Sequence, residues 1–307
     1  MSVQNEVRIV EVGPRDGLQN LSDLVSTADK IDMIQHLAAC GFAEIQAGAF
    51  VSPQAIPQFQ DMSAVMEGVK NIRRATLTAL VPNIQGVRDA LRCGLKKINF
   101  FFSVSRSHNI NNVRQTPDAS LTALEGILSE IRPDSSLAVR VDIATAFGCP
   151  FEGPVAIPTV LDYVEKLAGL GVLEMTLCDT AGLGNPRLVE ALGRQCIRLF
   201  PEVTFGMHFH DTRGLGLANI LRAYEAGIRC FDGAVGGLGG CPYSPGASGT
   251  VATEETVFMF EEMGISTGID LPALLAAALK IREKLSGAIF RSALLDAGLP
   301  APRGALK

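Results

Sequence analysis

The sequence lacks several features that would assign the protein to a common binding class. It has no tryptophan, only three tyrosines and only four histidines among 307 residues. It has no run of lysines and arginines, and its formal net charge is −5, which argues against nucleic acids and anionic membrane surfaces as partners. No apolar run approaches the roughly 18 residues that a membrane-spanning helix needs. We therefore expect a protein that binds neither nucleic acids nor membranes.

Export and disulfide signals are also missing. The first residues do not follow the basic-then-apolar pattern of a secretory signal. The seven cysteines are odd in number and show no C-x-x-C spacing, which is typical of reduced thiols in the cytoplasm. We therefore predict a cytoplasmic protein. Cys241, between Gly240 and Pro242, is the one thiol that lies outside an apolar run.

The sequence does have a regular alternation of short apolar runs with longer helical patterns. The first apolar run covers residues 7–12 and the eighth covers residues 230–235, with a helix predicted after each run. Eight such units of about 30 residues predict a closed (β/α)8 barrel, the TIM barrel. Asp118 and Asp270 are predicted helix N-caps. We expect a single domain over residues 1–307, with an extra C-terminal helix from about residue 268.

A doubly wound open α/β sheet is the alternative architecture. That fold binds dinucleotides through a glycine-rich turn of the form G-x-G-x-x-G, which follows the first strand. In this sequence the first predicted strand is followed by Gly13-Pro-Arg-Asp-Gly17, which does not fit the pattern. The barrel is therefore the preferred interpretation.

Polar side chains lie at the ends of predicted strands, where a TIM barrel places its active site. Arg15 and Asp16 follow the first strand, and His208 and His210 end the seventh. Because residues i and i+2 of a strand point to the same side, the two imidazoles should project together. The alternatives are a surface ion pair at residues 15–16 and a pair of histidines that are simply buried in the core.

Asp16, His208 and His210 together offer two nitrogens and a carboxylate oxygen to a divalent cation with open coordination positions. These donors suit Mg²⁺, Mn²⁺ or Zn²⁺ and do not decide among them. A cation that holds a hydroxyl and a neighbouring carboxylate of one substrate favours cleavage of the adjacent C–C bond, because the hydroxyl is more easily deprotonated. Arg15 is a candidate for stabilising the oxygen of the fragment that leaves as an enolate.

A glycine-rich stretch over residues 233–249 follows the eighth predicted strand and contains Cys241. Seven of its seventeen residues are glycine, which favours a loop that closes over a ligand. The alternatives are a phosphate-binding loop, although the Lys-Ser/Thr end of a P-loop is missing, and a loop that only needs unusual backbone angles. We interpret Cys241 as an acid, because the histidines that a thiol nucleophile would need are assigned to the metal.

Five segments of the chain resemble the 3-hydroxy-3-methylglutaryl-CoA (HMG-CoA) lyases. They are VEVGPRDGLQN at 10–20, FVSP at 50–53, GCP at 148–150, HFHDT at 208–212 and GLGGCPY at 237–243. The resemblance implies a metal-dependent TIM-barrel lyase that splits HMG-CoA into acetoacetate and acetyl-CoA, a step in leucine degradation. It also implies an acyl-CoA substrate, Mg²⁺ or Mn²⁺ as the cofactor with Zn²⁺ as the alternative, and a homodimer.

The resemblance further assigns roles to individual residues. The implied metal ligands are Asp16, His208, His210 and Thr250. The implied catalytic residues are Arg15, Cys241, Asp179, Glu254 and His208, the last as a proton shuttle. The residues that we expect to bind substrate are Gln19, Gln46, Ser105 and Asn112. The last two, which follow the fourth predicted strand, equally fit a turn or a helix cap.

Three positions depart from the family pattern. Gln46 stands where the family has a glutamate near the metal, Ala49 where it has a serine, and Thr250 where it has a metal-binding asparagine. Glu44 lies on the same face as Gln46 but deeper in the predicted barrel, and it is a candidate for partly taking the place of that glutamate. A different 3-hydroxyacyl-CoA is therefore an alternative substrate. Two alternative functions also stay open, a condensing acyltransferase of the same superfamily and a catalytically weakened binding homologue.

Overall fold

The computed structural model describes residues 6–131, 137–239 and 249–300. Within these ranges eight parallel strands form a closed barrel, in which each strand pairs with the next and the eighth pairs with the first. The strands are β1 Arg8–Glu11, β2 Glu44–Ala49, β3 Thr76–Val81, β4 Lys97–Ser103, β5 Ala138–Ala144, β6 Glu174–Asp179, β7 Thr204–Phe209 and β8 Cys230–Gly233. The closed order confirms the predicted TIM barrel and excludes the open sheet.

Helices surround the barrel. In the described ranges they are α1 Thr27–Ala39, α2 Met62–Val69, α3 Ile84–Arg92, α4 Arg106–Val113, α5 Pro117–Ile131, α6 Ile157–Gly169, α7 Pro186–Leu199, α8 Gly216–Glu225, α9 Thr253–Glu262, α10 Leu271–Lys284 and α11 Ala293–Ala297. The helix α10 is the predicted C-terminal helix, whereas α4 and α11 have no counterpart in the sequence prediction. Of these helices, none has the length and apolar character that crossing a membrane requires.

The two predicted N-caps have different outcomes. Asp270 does cap α10, since its side chain accepts a hydrogen bond of 3.0 Å from the backbone N–H of Ala273. The prediction for Asp118 is wrong, because the hydroxyl of Thr116 accepts the bond from the N–H of Ala119 at 3.2 Å. The helix begins at Pro117, because proline fits the first helical turn, where its missing N–H costs nothing.

An ion network fills the barrel at the amino-terminal ends of its strands. Nζ of Lys97 lies 2.8 Å from Glu44 and 2.7 Å from Glu174, and Arg8 also contacts both carboxylates. The carboxylate of Glu44 is therefore paired with cations at the end of the barrel opposite the predicted site. It cannot take the place of the glutamate that Gln46 replaces.

Candidate active site

The turn that carries Arg15 and Asp16 is a single π-helical turn, Gly13–Gly17, which follows β1 directly. Its first N–H, that of Gly13, donates to the Glu11 carboxylate at 2.7 Å. A Cβ at Gly13 would lie 2.6 Å from that carboxylate and 2.9 Å from the side chain of Val235, so only glycine fits here. This tight turn directs Asp16 into the carboxyl-terminal end of the barrel, where it is buried.

Asp16, His208 and His210 meet in that end of the barrel, as predicted. Their ligand atoms all lie within 4.8 Å of one another, and all three residues are buried. From Oδ2 of Asp16, the Nε2 atoms are 4.0 Å away in His208 and 3.6 Å away in His210. Two ligands that are each about 2.1 Å from one ion can be at most about 4.2 Å apart, so these distances suit a shared cation.

The surroundings of Asp16 keep it ionised. Burial by itself raises the pKa of this carboxyl, but the guanidinium of Arg15 and the two imidazoles outweigh burial and hold the pKa well below its ordinary value. Nη1 of Arg15 donates to Oδ1 of Asp16 at 2.7 Å, and Nε2 of Gln19 donates to the same oxygen at 3.0 Å. Asp16 is therefore a carboxylate at neutral pH, which a metal ligand must be.

Thr250 also reaches the cluster. Its hydroxyl donates to Oδ2 of Asp16 at 2.7 Å and lies 3.4 Å from Nε2 of His208. A β-bridge between His210 and Thr250 holds the two backbones side by side. The structure thus brings together Asp16, His208, His210 and Thr250, the four predicted metal ligands.

Arg15 lies between the cluster and Gln46. Its Nη1 binds Asp16, and its Nε donates to Oε1 of Gln46 on β2. The guanidinium is consequently fixed beside the Asp16–His208–His210 cluster, with the Arg15 side chain only 12% exposed. Gln19 and Gln46, both predicted to bind substrate, are each hydrogen-bonded to this Arg15–Asp16 pair.

Asp179 and Glu254 hold backbone turns. The oxygens of Asp179 accept hydrogen bonds from the N–H groups of Leu183 at 2.7 Å and Gly184 at 2.9 Å. Both oxygens of Glu254 accept from the N–H of Gly236, at 2.9 and 3.0 Å. Burial raises the pKa of both carboxyls against these bonds. In the described part of the chain neither side chain hydrogen-bonds to the metal cluster, so their contacts support positioning roles.

The remaining predicted residues lie outside the cluster or outside the described ranges. Ser105 is the N-cap of α4, since its hydroxyl oxygen accepts from the N–H of His108 at 3.2 Å, and the hydroxyl also contacts Sγ of Cys149 at 2.9 Å. Asn112 is exposed on α4. These contacts favour the cap interpretation of Ser105 over substrate binding. Cys241 lies outside the described residues.

Sequence reasoning missed a buried charged group beneath the cluster. Oδ2 of Asp232 on β8 contacts Nδ1 of His208 at 3.2 Å and accepts a hydrogen bond from Nη2 of Arg140. Burial by itself raises the pKa of Asp232, but Arg140 and His208 together hold it well below its ordinary value. The sequence did contain a signal for this buried pair, because Arg140 and Asp232 are charged residues inside the apolar strands β5 and β8. The neighbouring Asp211 accepts a hydrogen bond of 2.7 Å from the N–H of Gly216, the first residue of α8.

A closed (β/α)8 barrel with an Asp–His–His cluster and a partly buried arginine at the carboxyl ends of its strands defines a TIM-barrel enzyme with a candidate divalent-metal site. A family model described as HMGL-like matches residues 6–281. The chain is 41% identical over 285 residues to the hydroxymethylglutaryl-CoA lyase YngG of Bacillus subtilis (strain 168), which covers 93% of this chain and 95% of that protein. The chain therefore belongs to the HMGL-like family.

Other relatives agree with this assignment. The hydroxymethylglutaryl-CoA lyase of Pseudomonas mevalonii is 40% identical over 282 residues, covering 92% of this chain and 93% of that protein. The solved structure of an HMG-CoA lyase from Acinetobacter baumannii, in complex with coenzyme A and 3-methylmalate, matches with a TM-score of 0.93. The match has 40% sequence identity and covers 98% of both chains. The resemblance stated from the sequence motifs is thereby confirmed.

Proposed function

We propose that this protein is a divalent-metal-dependent lyase that cleaves HMG-CoA to acetyl-CoA and acetoacetate. The observation that carries the proposal is the convergence of Asp16, His208 and His210 beside the fixed guanidinium of Arg15. The chain that makes this arrangement is about 40% identical to proteins named HMG-CoA lyase over most of its length. Asp16, His208 and His210 would hold the cation, with the hydroxyl of Thr250 beside it.

The residues of the site divide the chemistry among them. A bound divalent cation supplies Lewis acidity, which makes a substrate hydroxyl easier to deprotonate. Arg15 stabilises the negative charge that develops on the oxygen of the leaving enolate, and its contacts with Asp16 and Gln46 orient it in advance. Asp16 accepts bonds from Arg15, Gln19 and Thr250, so it stays fixed and ionised.

Two proton-transfer roles belong to the proposal. His208 is the candidate proton shuttle, but the contact of its Nδ1 with Asp232 favours the ligand role through Nε2. We assign protonation of the carbon of the leaving enolate to Cys241, on its place in the glycine-rich loop after β8. Asp179 and Glu254 act through the turns that they hold, those at Leu183–Gly184 and Gly236.

The acyl-CoA substrate class is supported by the Acinetobacter baumannii relative, whose structure contains coenzyme A. Ser105 and Asn112 remain our candidates for substrate contacts, although their observed positions do not add support. Gln46, Ala49 and Thr250 differ from the family pattern that the resemblance implies, so another 3-hydroxyacyl-CoA is the alternative substrate. Mg²⁺ or Mn²⁺ is the proposed cation, with Zn²⁺ as the alternative, because the donor set accepts all three.

The test is a cleavage assay on the purified protein. Acetyl-CoA release from HMG-CoA and from a panel of 3-hydroxyacyl-CoAs is measured with Mg²⁺, with Mn²⁺, with Zn²⁺ and after chelation. Release from HMG-CoA that depends on a divalent metal is expected. Release of acetyl-CoA only from another member of the panel would show that the protein is a lyase with a different substrate. Condensation of acetyl-CoA with a keto acid without cleavage would favour the acyltransferase, and metal binding without any turnover would favour the binding homologue.

We further propose a cytoplasmic location, a single domain over residues 1–307 and a homodimer. The six cysteines of the described residues are all free thiols, which supports a reducing compartment. Limited proteolysis that releases a stable fragment would contradict the single domain. Sedimentation that gives a monomer would contradict the homodimer. A role in leucine degradation follows only if HMG-CoA is the substrate.

A further inference from the structure

Two carboxylates and one guanidinium lie inside the barrel, directly below the metal cluster. Arg140 and Asp142 are on β5, and Asp232 is on β8. Nε of Arg140 donates to Oδ1 of Asp142 at 2.7 Å, and Nη2 donates to Oδ2 of Asp232. All three side chains are at most 4% exposed. The guanidinium of Arg140 is therefore shared between the carboxylates of Asp142 and Asp232, which are both buried.

Only one of these carboxylates reaches a histidine of the cluster. The parallel register of β7 and β8 pairs His208 with Asp232, which places the two side chains next to each other. Oδ2 of Asp232 is 3.2 Å from Nδ1 of His208. Asp142 instead contacts Asn99, whose Nδ2 lies 3.4 Å from Oδ2 of Asp142. Asp232 and Asp142 thus both contact Arg140, but only Asp232 also contacts His208.

The contact between Asp232 and His208 dictates which nitrogen of the imidazole carries the proton. An ionised carboxylate can only accept hydrogen bonds, so Nδ1 of a neutral His208 must be the donor. Nε2 then has a free lone pair, and it faces Oγ1 of Thr250 at 3.4 Å and Oδ2 of Asp16 at 4.0 Å. A lone pair on Nε2 is what a metal ligand must provide.

His210 differs from His208 in this respect. Its Nδ1 is buried and has no hydrogen-bond partner within the described ranges. Among the described residues, therefore, His208 is the cluster imidazole whose Nδ1 is held by a carboxylate. Loss of the Asp232 carboxylate should therefore affect His208 and leave His210 unchanged.

We propose that Asp232, itself held by Arg140, is a positioning residue that fixes the Nδ1–H tautomer of His208 and so prepares Nε2 for the divalent metal. This inference rests on the proposed metal role of the cluster. It assigns to Asp232 and Arg140 a part in metal binding, which a merely structural buried ion pair would not have.

The test compares Asp232→Asn with the matched control Asp142→Asn in the full chain. Each variant removes one of the two carboxylates that contact Arg140, but only Asp232→Asn changes the partner of His208. Mn²⁺ affinity is measured by titration calorimetry and by the EPR signal of free Mn²⁺. We expect an affinity about 10–100-fold weaker for Asp232→Asn, which is the usual effect of losing such a partner, and a change below about threefold for Asp142→Asn.

The tautomer is measured directly on the metal-free protein by ¹⁵N-edited NMR of the imidazole rings. The chain has only four histidines, so the signals can be assigned by single His→Ala variants. The wild-type protein should show His208 protonated at Nδ1, and Asp232→Asn should show a mixture or the Nε2–H form. Where Asp232→Asn does not fold, Arg140→Lys is used, and a smaller loss of Mn²⁺ affinity in the same direction is expected.

Two results would overturn the inference. One is an unchanged His208 tautomer and Mn²⁺ affinity in Asp232→Asn, and the other is an equal loss of affinity in Asp142→Asn. Failure of the proposed function is a separate outcome. If the wild-type protein binds Mn²⁺ but cleaves no acyl-CoA, the proposed activity is wrong and the comparison of the two variants still tests the inference. If the wild-type protein does not bind Mn²⁺, the proposed metal role of the cluster is wrong, and the inference is wrong with it.

Discussion

Gln46 accepts a hydrogen bond from Nε of Arg15, and its own amide nitrogen is buried with no partner among the residues that the structure describes. A glutamate at this position would pair with Arg15 through two carboxylate oxygens and would leave no amide group unsatisfied. It would also add a negative charge close to the metal cluster. Gln46 therefore lowers the negative charge of the site without disturbing the position of Arg15.

The first prediction concerns that charge. We expect Gln46→Glu to bind Mn²⁺ about 3–10-fold more tightly at low ionic strength, because the added carboxylate attracts the cation. Titration calorimetry at two salt concentrations measures the effect, which should shrink as salt screens the charge. Gln85→Glu, on the exposed surface of α3, is the control for the same charge change at an exposed position. Equal or weaker Mn²⁺ binding by Gln46→Glu would show that Gln46 lies too far from the cation to influence it.

The second prediction concerns the ligands themselves. We expect Asp16→Ala and His210→Ala to lose measurable Mn²⁺ binding and activity, because each removes one donor group of the Asp16–His208–His210 cluster. His36→Ala is the matched control, since His36 lies on α1 and contacts Asp32 on the same helix. Metal content after purification and Mn²⁺ titration are the measurements. Retention of full Mn²⁺ affinity by either ligand variant would disprove a shared cation at this cluster.

The third prediction concerns Thr250. Its hydroxyl donates to Asp16, so its oxygen is at best a weak neutral ligand. We expect Thr250→Asn to tighten Mn²⁺ binding about tenfold, because an amide carbonyl offers a better oxygen donor to a hard cation. Thr250→Val has nearly the same shape but no oxygen, and it should weaken binding. The prediction fails if the asparagine and valine variants bind Mn²⁺ equally well.

The sequence predicted the convergence of Asp16, His208 and His210 because these residues follow simple rules. His208 and His210 are two residues apart at a strand end, and Asp16 follows the first strand of the same barrel. The closed barrel with its eight strands was also readable from the repeated pattern. The side-by-side position of Asp232 and His208 could not be predicted, because it depends on the register between β7 and β8. The apolar pattern does not distinguish registers that differ by two residues, since both place the same side chains on the same face.

Local competition explains the other differences. Thr116 and Asp118 are both good N-caps, and Pro117 between them decides the start of α5 in favour of Thr116. The short helix α4 escaped prediction because residues 106–113 carry little apolar periodicity, and Ser105 supplies the cap that starts it. The turns held by Asp179 and Glu254 depend on backbone N–H groups, whose directions a sequence does not reveal.

A buried glutamate links three segments around the site. Glu11 accepts hydrogen bonds from the N–H of Gly13 at 2.7 Å, the N–H of Val235 at 2.9 Å and the hydroxyl of Thr253 at 2.7 Å. These partners belong to the turn after β1, the turn after β8 and the start of α9. Burial raises the pKa of Glu11 to about 7 although all three bonds oppose it.

The fourth prediction follows from the direction of that shift. Because the folded pKa of about 7 exceeds the ordinary value of 4.5, the folded protein binds more protons than the unfolded chain between these pH values. The contribution of Glu11 to the free energy of unfolding is therefore fully present below pH 4.5 and is lost as the pH rises to 7 and above. The loss is on the order of 1–3 kcal/mol. Glu11→Gln keeps an acceptor oxygen for the backbone donors but cannot ionise.

We therefore expect the difference in free energy of unfolding between the wild-type protein and Glu11→Gln to change with pH in favour of the variant. Urea unfolding at pH 5, 6, 7 and 8 measures this difference, in which the titration of all other groups cancels. Glu67→Gln, on the exposed surface of α2, is the matched control for the loss of a solvent-exposed carboxylate. A constant difference for Glu11→Gln would mean that Glu11 ionises in the folded protein as readily as in the unfolded chain. In that case its three hydrogen bonds offset the whole cost of its burial.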